Sequence, residues 1–294
     1  MMSFAFLWEQ VVNGIVAGSM YALMAIGLTL IWGTMRVLNF AHGEFFMLGA
    51  FLALTALLGV GLPLIPAVLV AICGVFVIAV ILHSATIRPL MSRPGWDFST
   101  IAATLGLSIV LQDAALMIWG ERFQALPYFV EGIVHVLGVR LPAQRVLIVA
   151  TVIAVVCVLT ILIRFTRFGM ALRAVASDAE AASACGVNTA RVHATTFGIA
   201  AALAALAGII LAPIIAINPW MGVPPILKAF VVVVLGGLGS LPGAVLGGFL
   251  LGIIEAVGVT VFSSEWREVV ALGVLILVVW LRPQGLFGKP LREA

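Results

Sequence analysis

The chain is 294 residues long, 64% hydrophobic and 9% charged, with a mean hydropathy of +1.27. A soluble domain is about one quarter charged and about half apolar, so this composition excludes an ordinary water-soluble enzyme and leaves room outside the membrane only for a very small folded part. The 15 Lys and Arg against 12 Asp and Glu give a net +3; because the basic residues stand in short stretches between apolar runs, they speak for membrane topology rather than for nucleic acid.

Apolar runs fall at 11–33, 40–58, 63–83, 98–119, 145–164, 195–216, 226–241, 243–262 and 266–282. They predict an all-α polytopic transmembrane helical bundle of eight to nine embedded segments, read as one permease-like domain over 1–294. The run at 226–241 is shorter than a span of about 17 to 25 residues, and the run at 40–58 opens on polar residues, so both are candidates for broken or re-entrant helices. Residues 1–10 carry no basic leader and no small-residue cleavage site, so the first run is expected to stay as a span.

Arg36, Arg88, Arg93, Arg164, Arg167, Arg173, Arg191, Arg282, Lys289 and Arg292 fall on one side of this layout, and the other five basic residues on the opposite side. The positive-inside rule then makes the first side, and the C-terminus, cytoplasmic. Trp8, Trp32, Trp119, Trp220, Trp266 and Trp280 fall at segment ends, as an interfacial belt requires.

In chain order, the first feature is the pair Gly14 and Gly18, matched later by Gly239, Gly243 and Gly247 and by Gly248 and Gly252. Four-residue spacing of glycine lets helix backbones approach closely, and packing within the chain is the expected use. Next comes Asn39-Phe40-Ala41-His42-Gly43-Glu44, which puts an amide, an imidazole and a carboxylate at the start of an embedded segment. Hydrocarbon satisfies none of them. Two uses are open: Asn39 caps a helix with Glu44 near its positive end, or Asn39, His42 and Glu44 line the translocation pathway. Asp113 and Glu255 are expected near the outer interface, solvated or paired.

The stretch from Arg164 to His193 is the longest on the cytoplasmic side, and 166–190 is read as a coupling segment. Ser177-Asp178-Ala179-Glu180 matches a capping box, and Gly186 supplies the stop. Between them lies a short Ala-rich helix with small side chains at Ala181 and Ala182, suited to lying in a groove of another protein; the alternative is a helix that rests on the membrane surface or on its own bundle. The Gly236–Gly243 stretch, GGLGSLPG, reads as a tight reversal between helices.

ATP hydrolysis by a P-loop is excluded, because neither lysine, Lys228 nor Lys289, follows that pattern. The four histidines lack zinc-protease spacing, no nucleophile elbow occurs, and Cys73, Cys157 and Cys185 suggest neither disulfide nor metal site. A proton- or sodium-coupled carrier using Glu44, Asp113 and Glu255, and a membrane-embedded enzyme, are the rival readings.

Glu180-Ala181-Ala182 with Gly186 is similar to the first half of the EAA motif of bacterial ABC importer permeases, the element that docks on the ATPase; its Ile-x-Leu-Pro second half is missing. Four ordered stretches, VLNFAHGE from Val37, TRFGMALRAVASDAEAASACGVN from Thr166, the later LGGLGSLPGAVLGG and the C-terminal LRPQGLFG, resemble the LivH type of branched-chain amino acid ABC transporter permease, within the wider ribose-permease-like group. The resemblance implies a bacterial inner-membrane subunit pairing with a second permease of the LivM type, two cytoplasmic ATPases that bind ATP-Mg, and a periplasmic binding protein. It also implies that Ser177, Glu180, Ala181, Ala182 and Gly186 belong to the ATPase-coupling element, and that the chain itself holds no cofactor or metal. Related permeases handle urea, short amides and other small molecules, so those substrates are the alternative.

Overall fold

The computed structural model describes residues 4–136 and 139–288; Lys289 and Arg292, expected in the cytoplasmic tail, lie outside the described residues. The elements are α1 (Phe4–Met35), α2 (His42–Leu54), α3 (Leu64–Leu82), α4 (Trp96–Trp119), strands β1 (Ile133–Val136) and β2 (Val139–Pro142), α5 (Ala143–Phe165), α6 (Arg167–Ser177), α7 (Ala179–Ala184), α8 (Thr189–Leu211), α9 (Val223–Gly236), α10 (Leu241–Phe262) and α11 (Arg267–Leu281). Single π turns, Thr55–Gly59 and His83–Ile87, continue α2 and α3, and the latter leads into a last helical turn at Arg88–Met91. All nine predicted segments are helical. Seven are long and apolar enough to cross a membrane, which makes the chain a multi-pass integral membrane protein; α9 and α11, of 14 and 15 residues, are shorter.

The β1–β2 hairpin is an antiparallel pair with His135 opposite Arg140, and it is the departure from an all-α pattern. Val139 and Leu141 of its second strand pack against Val12, with Trp8 and Val146 at the edge.

The chain divides into two compact units: 1–29, 128–154 and 227–294 form one, and 30–127 with 155–226 the other. In the first unit, α1 and α10 meet through glycine. A Cβ on Gly18 would stand 2.7 Å from the Phe249 Cα, and one on Gly248 2.6 Å from the Ala22 Cα, so the four-residue glycine spacing packs helices of this same chain. The reversal expected at Gly236–Gly243 is present, with Ser240 capping α10 by accepting the Gly243 N–H at 3.2 Å. The LRPQGLFG stretch folds back onto this turn, where Leu286 N–H donates to the Leu235 carbonyl at 2.8 Å and Phe287 N–H to that of Gly236 at 3.1 Å. Two motifs nearly fifty residues apart are one structural element.

In the second unit, α2 is apolar on every side and buried along almost its whole length, which makes it an interior helix. It packs on α8, where Gly208 lies directly under the Phe46 carbonyl and a Cβ on Gly49 would stand 2.5 Å from the Ala205 Cα. Helices α3 and α4 turn Leu69, Val70, Val77, Ile109, Val110 and Met117 outward, the arrangement that suits hydrocarbon and not water.

Candidate functional site

The site is built where the chain passes from α1 to α2. Arg36 takes a left-handed φ of +53°, and residues up to Ala41 are not helical. This irregular stretch runs against α4. Thr104 Oγ1 accepts from the Phe40 N–H at 3.3 Å and reaches the Leu38 carbonyl, also at 3.3 Å. Thr104 lies eight residues into α4, about 12 Å from its start at 1.5 Å per residue. Non-helical backbone is therefore held well inside the apolar span, where protein groups must satisfy it. The second segment itself is one unbroken helix from His42 to Gly59, and the irregular stretch expected of it is the connection that leads into it.

Asn39 does not cap α2 as one sequence reading had it. Ala41 occupies the N-cap position and gives no side-chain hydrogen bond; the Asn39 Oδ1 instead accepts from the Ala41 N–H at 3.1 Å. The side chain stabilises the turn before the helix, because it is too far upstream to reach the free amides of the first turn.

Helix α4 presents Thr100, Thr104, Ser108 and Gln112 at four-residue intervals, a polar stripe along one helix face. Ser108 Oγ and Gln112 Nε2 both donate to Glu44 Oε1 at 2.8 Å. Glu44 is 1% exposed, and Ser108 stands midway along α4, about 18 Å from its start. Among the described residues, Glu44 Oε2 and Asn39 Nδ2 have no hydrogen-bond partner. The His42 ring meets Phe45 edge-on at 6.5 Å, Phe45 meets Phe197 at 5.8 Å, and Phe197 meets His83 at 5.4 Å. Asn39, His42 and Glu44 thus share one buried locus, joined by Ser108 and Gln112, which the sequence reading missed; the polar spacing within an apolar run was the signal for them.

The coupling segment forms two short helices. Thr166 caps α6 by accepting the Gly169 N–H at 3.0 Å. Gly169 lies tight against the last carbonyls of α5, and the Arg173 guanidinium donates to the Ile163 carbonyl. Helix α7 begins at Ala179, and its cap is Asp178, not Ser177: the Asp178 carboxylate accepts the Glu180 and Ala181 N–H groups, both at 2.9 Å. Ser177 is still the last residue of α6, and the extended backbone that a cap needs falls on Asp178. The expected Ser177–Glu180 box is corrected accordingly. Gly186, at φ +88°, ends the helix as expected. Glu180, Ala181, Ser183 and Ala184 are exposed, whereas Ala182 is buried. Ala182 seats α7 on its own chain and leaves Ala181 and Ala184 as the outward small residues.

In the other unit, Lys228 on α9 is not the loop cation that the charge count took it for. It is buried, and its Nζ lies 2.6 Å from Glu255 Oε1 and 2.8 Å from Glu268 Oε2, while Tyr21 Oη donates to Glu255 Oε2 at 2.7 Å. Glu255 is paired, as one reading expected, and is buried within the protein. Asp113 is exposed on α4. The three carboxylates of the secondary-carrier reading thus have unlike settings, one buried and held by neutral donors, one exposed and one ion-paired.

A multi-pass helical bundle with an irregular stretch between two of its spans, a polar stripe that holds a buried carboxyl and a short helix pair after α5 is consistent with a membrane transport subunit. The profile of the family described as the branched-chain amino acid transport system permease component matches residues 10–279. The chain is 39% identical to the high-affinity branched-chain amino acid transport system permease protein BraD of Pseudomonas aeruginosa, with 96% of each chain covered. It is 38% identical to LivH of Escherichia coli K12, with 98% of this chain and 97% of that one covered, and 27% identical to the probable LivH of Methanocaldococcus jannaschii, with 94% and 91% covered. No solved structure matches. The chain belongs to the branched-chain amino acid transport permease family.

Proposed function

We propose that this chain is the membrane-spanning permease subunit of an ATP-driven importer, moving branched-chain or related hydrophobic amino acids across the bacterial inner membrane. It pairs with a second, LivM-type permease, two cytoplasmic ATPases that bind ATP-Mg, and a periplasmic binding protein. Asn39, His42 and Glu44 line the route, and the C-terminus faces the cytoplasm.

The observation that carries this reading is α7. Asp178 caps it and Gly186 stops it, and α6 is fixed to the end of α5 through Arg173 and Gly169. A six-residue helix whose outward side chains are small apart from Glu180 buries little of its own, so its rigid presentation is explained by a groove that receives it. The flanking Arg164, Arg167, Arg173 and Arg191 support a cytoplasmic position for it by the positive-inside rule, on the side where ATPases work.

Purification of the tagged chain from cells expressing the whole gene set tests the assembly. The second permease and both ATPases are expected in the eluate, with ATP hydrolysis raised by loaded binding protein, and the chain expressed alone is expected to hydrolyse none. ATP hydrolysis by the isolated chain, or its purification without the ATPases, contradicts the proposal.

A further inference from the structure

Glu44 stands apart from the other buried carboxylate. Glu255 faces a lysine, but the ion pairs among the described residues are both made by Lys228, and Glu44 has only the neutral donors Ser108 and Gln112. Both of those bind the same oxygen, Oε1. Oε2 is buried with nothing to accept. A buried carboxylate without a cation is destabilising, and inside a membrane span such a group marks a functional site.

Asn39 shows the complementary vacancy. It is 0% exposed, its Oδ1 is used by Ala41, and its Nδ2 donates to nothing. The segment that opens α2 therefore holds one carboxyl oxygen and one amide donor, both sealed from solvent and both without a hydrogen-bond partner. Phe45, Phe46, Met47 and Leu48 follow immediately and are all buried.

We propose that Glu44 and Asn39 form a transit site for a zwitterionic α-amino acid. Glu44 Oε2 accepts from the substrate ammonium, Asn39 Nδ2 donates to its carboxylate, and the apolar side chains around the start of α2 surround the aliphatic side chain. Ser108 and Gln112 are positioning residues, which fix the carboxylate through Oε1 and leave Oε2 for the substrate. The site is closed in this structure, as a transit site is through part of an alternating cycle. It supplies a single charged contact rather than a full set, which suits a substrate that must leave again. The inference rests on the importer reading and adds to it the groups that recognise the substrate.

The test uses the complete importer in proteoliposomes, with radiolabelled leucine delivered by the binding protein and ATP hydrolysis measured in the same vesicles. Glu44→Gln has the same shape and mimics a protonated carboxyl. It is expected to lower leucine uptake per ATP roughly tenfold or more, the size of one lost charge-assisted hydrogen bond, while loaded binding protein still stimulates hydrolysis. Asn39→Asp, which sets a negative charge against the substrate carboxylate, is expected to lower it at least as far. Glu44→Asp keeps the charge and is expected to recover much of the uptake. Glu44→Gln uptake within about twofold of wild type would overturn the inference, as would an equal fall of uptake and hydrolysis in Gln and Asp variants alike. Those outcomes strike the inference alone, because wild type transports normally in the same vesicles; absence of leucine uptake by wild type strikes the importer reading as well.

Discussion

Arginine at Ala181 is expected to release the ATPase subunits or uncouple them, with the permease still inserted and folded. Ala181 is exposed on α7, so the substitution leaves the chain's own packing intact and acts only on what lies against that face. In a close-fitting groove a bulky guanidinium both clashes and buries a charge without a partner, which costs several kcal/mol. Ala182→Arg is a different experiment: Ala182 is buried on this chain, so that variant unseats α7 and destroys coupling from within. Co-purification and uptake check both. Normal ATPase recovery with wild-type uptake in the Ala181→Arg importer would place the docking element elsewhere.

The second large effect belongs to Lys228. Removing the ammonium by Lys228→Met leaves Glu255 buried without its cation, and breaking a buried pair in this way costs about 3–5 kcal/mol. The network joins α9 to α10 through Glu255, to α11 through Glu268 and to α1 through Tyr21, so the loss is expected as a marked fall in the thermal unfolding midpoint of the detergent-solubilised chain. Adding Glu255→Gln removes the stranded charge and keeps an acceptor for Tyr21, and is expected to recover part of the stability. A Lys228→Met protein that unfolds at the wild-type temperature would show that the pair does not hold these helices together.

These features differ in how far the sequence disclosed them. The nine segments were legible because hydrocarbon demands long apolar runs, and the protein-facing start of the second was legible because Asn39, His42 and Glu44 cannot face lipid. The glycine faces of α1 and α10 followed from spacing alone. The capping of α7 was legible in kind but not in register: Ser177 and Asp178 are both good caps, and the choice depends on which residue leaves helical geometry first. The orientation of Ala182 was hidden because one turn of alanines has no pattern that tells inside from outside. Lys228 and Glu255 lie 27 residues apart on separate helices, so only packing could pair them. The Thr100, Thr104, Ser108 and Gln112 stripe was open to a reading by helical period, and its Ser108 and Gln112 are the partners that the buried Glu44 required. The β1–β2 hairpin, two four-residue strands in a connecting segment, is too short to stand out from loop composition.

Leucine uptake by proteoliposomes holding the purified complex, with ATP inside or outside the source of drive, tests the central claim most directly. Uptake is expected only with ATP on the ATPase face and binding protein on the other, and it should be unaffected when the proton and sodium gradients are collapsed. Uptake that persists without ATP and follows an imposed ion gradient would contradict the account and make the chain a secondary carrier.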